Sequence, residues 1–216
     1  MTPILVFDVD GTLVDSQGAI TEAMRLAYDA HDLEVFEPRK IRSIVGLSVR
    51  EAVAQLLPAQ SNAVQEHVVQ SFIENYRALL ERGERERLFP GIRQILDQLY
   101  QRDCHLSIAT GNSHRGLTRI LKEHELGQYF VSLQTADTHP SKPHPSMLHT
   151  IREDLGLDEA PMVMIGDTSF DMKMAASAGA HAIGVAWGYH EIEDLRASGA
   201  HKIAEHAEDL LNLVLD

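Results

Sequence analysis

The sequence predicts an α/β fold, in which a doubly wound, Rossmann-like parallel sheet forms the core and a helical cap is inserted into it. Short apolar runs typical of buried parallel strands alternate with longer segments of helical periodicity. Between residues 16 and 87 only helical periodicity is found, which indicates an insertion after the first strand. The predicted domains are a discontinuous core, residues 1–15 and 88–216, and a cap, residues 16–87.

The first apolar run, residues 4–7, ends in Asp8-Val9-Asp10-Gly11-Thr12. Ligands of open α/β sheets lie at the carboxyl ends of the strands, so the two carboxylates fall where a site is expected. Alternation along the chain points both to one side and turns the intervening valine toward the core. Two close carboxylates require a cation or a shared proton, and magnesium suits hard oxygen ligands. The alternative is a solvated Asp-Gly turn.

Within the predicted cap, Ser16 is expected to cap the first helix, and Pro38 to open a second helix at its first turn. The sequence Ser48-Val49-Arg50-Glu51 has the pattern of a capping box, which predicts a third helix. A fourth, long helix is expected from Asn62 to the charged run of residues 81–87.

From residue 88 onward the predicted elements alternate between helices and strands, which favours a parallel sheet. The expected helices and strands are a helix over 92–100, a strand over 104–109, a helix around 117–121, a strand near 130–131, a helix from 146, a strand over 162–165, a helix over 170–178, a strand over 182–186, a strand near 202–203 and a helix around 210–214.

Composition limits the partners of the 216-residue chain. The net charge is −13, from 32 acidic and 19 basic residues, which argues against nucleic acid or an anionic membrane as the main partner. Cys104 is the only cysteine, so an internal disulfide is impossible, and its apolar neighbours suggest a buried strand residue. The start of the sequence shows no leader pattern, so a cytoplasmic location is expected, as a monomer or a weak homodimer.

Polar residues follow four predicted strands. They are Asp8 and Asp10, Thr110 with Gly111 and Asn112, Lys142 in the loop after the third strand, and Asp167 with Asp171. Each alone has an ordinary explanation, since a threonine forms turns, a lysine is usually solvated and an aspartate caps a helix. Their joint appearance at the ends of apolar runs indicates one shared site.

The four motifs, Asp8-Val-Asp-Gly-Thr12, Thr110, Lys142 and Gly166-Asp-Thr-Ser-Phe-Asp171, resemble the signature motifs of the haloacid dehalogenase superfamily. The resemblance covers the whole chain and includes a helical cap directly after the first motif. Residues 166–189 and Ser141-Lys142-Pro143 resemble the phosphoglycolate-phosphatase-like subgroup.

This resemblance implies a hydrolase of phosphoric monoester bonds, a magnesium-dependent phosphatase. Its partner would be a small phosphorylated metabolite, with phosphoglycolate as the first substrate considered. Asp8, ionised at neutral pH, is the expected nucleophile and forms an aspartyl-phosphate. Asp10 is the expected acid, then base, and crowding by carboxylates favours the raised pKa that this role requires.

The remaining site residues are also assigned by resemblance. Magnesium would be held by the Asp8 carboxylate, the main-chain carbonyl of Asp10, and Asp167. Lys142 would neutralise the nucleophile and the phosphoryl group. The phosphoryl oxygens would be bound by Thr110 and by neighbouring groups of Gly111 and Asn112. Asp171 either contacts a metal ligand without binding the metal itself, or is an acidic residue in the first turn of a helix. Asn112 either forms a hydrogen bond in the active site or caps a helix.

In the cap, residues 45–50 are the expected substrate contact, through Gly46 and through Arg50 or Arg42, either of which is suited to a carboxylate. A solvated arginine is the simpler interpretation of each. His139, His144 and His149 form no recognised metal pair, so no zinc site is expected, although the second histidine is close enough to Lys142 to border the pocket.

Other activities share parts of this pattern. A β-phosphoglucomutase-like phosphotransferase has the same core set, and a pyrophosphatase remains open. A dehalogenase needs neither Asp10 nor a metal. A phosphonatase would form a Schiff base on a cap lysine, here Lys40. A phospho-accepting receiver domain, which is a signalling module rather than an enzyme, also combines aspartates, threonine and lysine on a parallel sheet, but lacks so large an insertion.

Overall fold

The computed structural model describes residues 2–34 and 37–215. The strands are β1 (Ile4–Phe7), β2 (Val14–Asp15), β3 (Arg87–Leu88), β4 (His105–Thr110), β5 (Phe130–Thr135), β6 (Met162–Gly166), β7 (His181–Val185) and β8 (Lys202–Ala204). Six of them form one parallel sheet in the order β5-β4-β1-β6-β7-β8. The predicted parallel α/β sheet is therefore confirmed, with the first strand near its centre.

The helices are α1 (Gln17–Asp29), α2 (Pro38–Arg42), α3 (Val49–Leu56), α4 (Asn62–Glu81), α5 (Ile92–Tyr100), α6 (His114–Glu123), α7 (Ser146–Leu155), α8 (Ser169–Ser177), α9 (Ile192–Ala197) and α10 (Asp209–Leu215). A 3-10 turn over Gly127–Tyr129 precedes β5.

Helices cover both faces of the sheet because β1 is apolar on both sides. Leu5 and Phe7 pack into a cluster that includes residues of α5, α6 and α10, and Val9 joins the same cluster. Ile4 and Val6 pack into a second cluster with residues of α7, α8 and α9. A strand that is buried on both faces has a continuous run of apolar residues in its sequence, and this run is the pattern from which β1 was predicted.

The helices α1 to α4 surround a third apolar cluster of their own, which includes Met24, Tyr28, Val53 and Phe72. The short strands β2 and β3 pair antiparallel at the two points where the chain enters and leaves this helical segment. The division into a core and a cap at these residues stays a prediction. The predicted domains also include Met1, Val35, Phe36 and Asp216, which lie outside the described residues.

Three local predictions were wrong. No strand was expected between residues 16 and 87, yet Arg87 pairs with Asp15, in a ladder too short to show any periodicity. The strand near residue 130 continues to Thr135, because its polar residues are buried and bonded rather than solvated. In β5, for example, Ser132 Oγ donates to Asp154 Oδ2 at 2.7 Å. The third error is helix α9, which was not predicted.

Two predicted caps are used differently. The first helix begins directly after Ser16, but no side-chain cap bond forms, and the Ser16 hydroxyl lies 3.1 Å from that of Tyr189. Ser48 Oγ accepts from the Glu51 N–H, while the Ser48 N–H donates to Ser141 Oγ at 2.9 Å, so the predicted capping box is only half formed. Each serine thus links the helical segment to the sheet domain.

None of the helices within residues 2–34 and 37–215 has the length and apolar composition of a transmembrane segment.

Candidate active site

Four predicted site residues meet at the carboxyl edge of the sheet. Asp8 directly follows β1, Thr110 ends β4, and Asp167 directly follows β6, three neighbouring parallel strands. Lys142 reaches the same place from the loop after β5. All four side chains are buried, so the polar groups at these strand ends are removed from water together.

Lys142 forms the centre of a buried charge cluster. Its Nζ donates to Asp8 Oδ1 at 2.6 Å and to Asp171 Oδ1 at 2.6 Å. Burial opposes the charge of this ammonium, but the two carboxylates outweigh it and raise the pKa of Lys142. The lysine is therefore charged at neutral pH and is not the solvated loop residue that its type suggests.

Asp167 is held by groups from two other segments. Thr12 Oγ1 donates to its Oδ1 at 3.1 Å, and the main-chain N–H of Tyr189 donates to its Oδ2 at 2.9 Å. Gly11 has φ +89°, and a Cβ there would lie 2.2 Å from Asp167 Oδ2. The glycine is thus required both by its left-handed conformation and by the close approach of the carboxylate.

Carboxylate oxygens of Asp8, Asp167 and Asp171 lie within 4.8 Å of one another. Burial, opposed by Lys142 and reinforced by Asp171, raises the pKa of Asp8 to about 7. Burial and the charges of its two carboxylate neighbours raise the pKa of Asp167 well above its ordinary value. Lys142 alone therefore does not keep these carboxylates fully ionised at neutral pH, and a further positive charge beside Asp8 would supply the ionised nucleophile that the sequence predicted.

This arrangement fits a hard divalent cation. Asp8 Oδ2 is buried and has no hydrogen-bond partner within the described residues, so one oxygen of the cluster remains available as a ligand. Oxygen donors of this kind suit magnesium, which binds through one or two carboxylates and retains water. The cation would be held by Asp8 and Asp167, while the main-chain carbonyl of Asp10 stays the third predicted ligand.

Of the two interpretations of Asp171, the structure shows the helix N-terminal acid, and its role behind the metal ligands stays a prediction. Its Oδ2 accepts from the Thr168 N–H at 3.1 Å and from Thr168 Oγ1 at 2.6 Å, which forms a complete capping box at the start of α8. Its Oδ1 binds Lys142 at the same time. Asp171 therefore both caps the helix and orients the buried ammonium.

Asp10 faces away from this cluster. Its Oδ2 accepts from Asn112 Nδ2 at 3.3 Å, while its Oδ1 is buried without a partner among the described residues. Burial raises the pKa of Asp10 to about 6, with Glu86 adding to the shift and the Ser16 hydroxyl opposing it. A carboxyl with this pKa can release and accept a proton near neutral pH.

The predicted phosphate-binding group forms a tight turn after β4. Thr110 Oγ1 accepts from the Asn112 N–H at 3.1 Å, and Asn112 Oδ1 accepts from the Ser113 N–H at 2.9 Å. A Cβ on Gly111 would lie 2.5 Å from the main-chain oxygen of Gly46, so the sheet domain and the helical segment touch through backbone here. The cap of α6 is Ser113 rather than Asn112.

A cavity of about 290 Å³ lies between α1, α3 and α4 and the strand-end loops. Asp10, Gly111 and Asn112 line it from the sheet domain, and the predicted contact Gly46 lines it from the helical side.

The structure does not bring Arg50 to this cavity: it is exposed and forms an ion pair with Glu66 on α4. Arg42 is half-buried and also lies outside the cavity wall, and Lys40 is exposed on α2.

Two of the histidines close to Lys142 in sequence form hydrogen bonds within the protein. His139 bonds to Gln134 Oε1 at 2.8 Å and to Ser146 Oγ at 2.9 Å. His144 is exposed, accepts from the Ser146 N–H, and lies outside the cavity wall.

Sequence reasoning missed a buried charged network beside Asp10. Glu86 lies in the charged run after α4, yet it is buried, accepts from Arg119 Nη2 at 2.6 Å and also binds the Tyr76 hydroxyl. The network joins the helical segment, the connection before β3 and helix α6. No local signal distinguishes this glutamate from its solvated neighbours.

Comparison with known proteins gives the family. The model of haloacid dehalogenase-like hydrolases matches residues 5–185. The chain belongs to this family. The resemblance deduced from the four motifs is confirmed, and this haloacid dehalogenase-like protein is a hydrolase rather than a signalling module.

Relatives of this hydrolase match it nearly end to end. The probable phosphatase IndB of Dickeya dadantii (strain 3937) is 33% identical over 211 residues, which cover 95% of this chain and 90% of the relative. The phosphoglycolate phosphatase of Vibrio parahaemolyticus serotype O3:K6 (strain RIMD 2210633) is 26% identical over 218 residues, 98% of this chain and 95% of the relative.

The fold is shared with solved structures. The crystal structure of a predicted phosphatase from Clostridium acetobutylicum matches with a TM-score of 0.89 and 23% identity, covering 100% of this chain and 99% of the other. At this identity the match supports the fold alone.

Proposed function

We propose that this haloacid dehalogenase-like hydrolase is a magnesium-dependent phosphatase that hydrolyses a small organic phosphomonoester through an aspartyl-phosphate on Asp8. The observation that carries the proposal is the convergence of Asp8, Lys142 and Asp167 at one buried point. Asp10, two residues after Asp8, lines the neighbouring cavity. The names of the relatives, phosphatase and phosphoglycolate phosphatase, support the same activity.

The proposed first step is attack by Asp8 on phosphorus. The carboxylate oxygen forms a bond to phosphorus as the bond to the leaving oxygen breaks, and Asp10 gives its proton to that oxygen. A buried carboxyl with a pKa of about 6 suits this role at neutral pH. Because Asp10 lines the cavity, the alcohol is released toward the helical segment.

In the proposed second step, Asp10 takes a proton from water, which attacks phosphorus and regenerates the Asp8 carboxylate. Lys142 keeps its charge beside the nucleophile throughout and offsets the negative charge on the phosphoryl oxygens. Magnesium, when bound, would supply further positive charge at these oxygens. Thr110, Gly111 and Asn112 are proposed to orient the phosphoryl group.

Phosphoglycolate is the first substrate to test, because several relatives carry that name at 25–27% identity. A β-phosphoglucomutase-like transfer or a pyrophosphatase reaction would use the same strand-end residues. A phosphonatase based on Lys40 is disfavoured by the position of that lysine outside the cavity wall. A monomer or weak homodimer with a small phosphorylated metabolite as its partner stays the expectation.

The experiment is phosphate release from a panel of phosphomonoesters, with a hexose 1-phosphate and pyrophosphate included. Steady release from several monoesters is expected with magnesium, none in EDTA, and recovery when magnesium is restored. Calcium is expected to bind without supporting turnover, because it tolerates looser coordination geometry. Sugar isomerisation that depends on a bisphosphate would favour the mutase, and full activity in EDTA would contradict the proposal.

A further inference from the structure

The cavity beside Asp10 has the position of a leaving-group pocket. Its floor is formed by Asp10 and Asn112, and its walls come from the helical segment and from helix α6. A phosphoryl group at Asp8 with its leaving oxygen at Asp10 therefore places the organic part of the substrate in this cavity. The walls accordingly determine which alcohol is accepted.

These walls are predominantly apolar. They carry aliphatic and aromatic side chains from three helices, namely Ile20, Met24, Val49, Phe72, Ile73 and Leu80. Ile73 is 38% exposed although it is a large apolar residue, so the cavity presents apolar surface that the fold itself leaves uncovered. An apolar ligand body would remove this surface from water.

The cavity is also large for a two-carbon alcohol. A volume of about 290 Å³ is close to the lower end, roughly 300 Å³, of the pockets that bury most of a drug-sized ligand. Glycolate is much smaller than such a ligand, so it would leave much of the apolar wall in contact with water.

The cations at the cavity are poorly placed for recognising a small carboxylate. Arg119 is already paired with the buried Glu86. Arg115 is exposed to solvent, where an ion pair contributes little. Arg77 is likewise exposed on α4, and Arg50 lies outside the cavity wall. The positive charge at the cavity wall is suited to drawing a phosphate dianion into a protein of net charge −13.

Resting on the proposed phosphatase function, we infer that the preferred substrate is the phosphomonoester of an alcohol with an apolar body about the size of a phenylethyl group. The apolar body occupies the space between α1, α3 and α4. Phosphoglycolate is a weaker substrate of the same site.

The test compares ethyl phosphate, 2-phenylethyl phosphate and phosphoglycolate, all esters of primary alcohols, in magnesium. The expected kcat/KM for the phenylethyl ester is about 100-fold above that for the ethyl ester, since burying the ring removes roughly 100 Å² or more of apolar surface from water. A ratio below about threefold, or a higher kcat/KM for phosphoglycolate than for the phenylethyl ester, overturns the inference.

Matched variants assign the preference to the cavity. Ile73→Glu is expected to lower the phenylethyl-to-ethyl ratio by about tenfold, because it places a charge in the apolar wall. Val131→Glu is the control: Val131 is 58% exposed on β5, outside the cavity wall, and the substitution is expected to leave the ratio unchanged. An unchanged ratio in Ile73→Glu, with a normal thermal midpoint, contradicts the inference.

Binding measurements separate this inference from the proposed function. Calorimetry with 2-phenylethylphosphonate and ethylphosphonate, which are not hydrolysed, is expected to show tighter binding of the phenyl compound. If no monoester is hydrolysed, the proposed function fails, and equal phosphonate affinities then also exclude the apolar pocket. Hydrolysis of all three esters at similar rates would support the proposed phosphatase function but overturn the inferred preference for an apolar alcohol.

Discussion

Lys142 Nζ lies 2.6 Å from Asp8 Oδ1, and both side chains are buried. The two residues are 134 positions apart in the sequence and come from different strand ends. Removing one partner of a buried ion pair leaves the other charge without compensation, so this contact links stability to the proposed chemistry.

We expect Lys142→Met to lower kcat/KM by about 10²–10³-fold, because a fixed positive charge beside the phosphoryl group is lost. The free energy of unfolding should fall by about 3–5 kcal/mol, since Asp8 and Asp171 lose their shared ammonium. Kinetics and urea denaturation measure the two effects. Lys173→Met, at an exposed position on α8, is the control, and a Lys142→Met variant that matches it in both measurements would refute this assignment.

Asp10→Asn should block turnover while leaving magnesium affinity nearly unchanged, because the Asp10 side chain lies outside the carboxylate cluster. Magnesium binding can be followed by the fluorescence of Trp187, the single tryptophan, whose indole donates to the Thr12 carbonyl at 3.1 Å. Asp15→Asn, on the exposed side of β2, is the matched control. A normal rate in Asp10→Asn would assign the acid to another residue.

Glu86→Gln tests the buried network that the sequence did not reveal. We expect a loss of about 1–3 kcal/mol in the free energy of unfolding. In this variant Arg119 keeps only its more exposed partner Glu123, and the Tyr76 hydroxyl loses a carboxylate acceptor. Urea denaturation measures the change. Glu84→Gln, two residues away and exposed, should have almost no effect, and equal stabilities of the two variants would contradict the role of the network.

His139 should make stability decrease on acidification. Burial lowers the pKa of His139, with His144 adding to the shift and Asp154 opposing it. Unfolded histidine takes a proton near pH 6.5, so below that pH the unfolded chain binds more protons and stability is lost.

The free energy of unfolding of wild type should therefore fall more between about pH 7.5 and pH 5.5 than that of His139→Gln. Urea titrations at both pH values measure the difference between the two proteins, so that other titrating groups cancel. His149→Gln, at an exposed position on α7, should behave as wild type. An identical slope in His139→Gln would show that this ring does not contribute.

The central strand and the strand-end residues could be predicted because their signal is local. An uninterrupted apolar run that ends in carboxylates is visible in residues 4–10 alone, and Asp167 after β6 shows the same pattern. Parallel strands then bring these ends together whatever the connections between them. Lys142 alone has the features of a polar loop residue, and it could be selected only together with the other three strand-end groups.

The remaining contacts depend on partners far away in the chain. Ser16 bonds to Tyr189, 173 positions later, rather than to its own helix. Glu86 is buried because it binds an arginine that lies 33 positions away. Its neighbours in the sequence are charged and exposed, so the local pattern predicts an exposed residue. Gln134 is buried within β5 because Asp154 and His139 bind it, which interrupts the apolar pattern of the strand.

Asp8 is the residue proposed to carry the phosphoryl group. Mass spectrometry of acid-quenched enzyme, after brief reaction with a substrate that has an activated leaving group, detects this covalent intermediate. The expected result is one phosphoryl group on the peptide that contains Asp8, enriched in Asp10→Asn and absent in Asp8→Asn, which should be folded and inactive. A phosphoryl group on another residue, or an Asp8→Asn variant that retains about a tenth of wild-type turnover, would contradict the account.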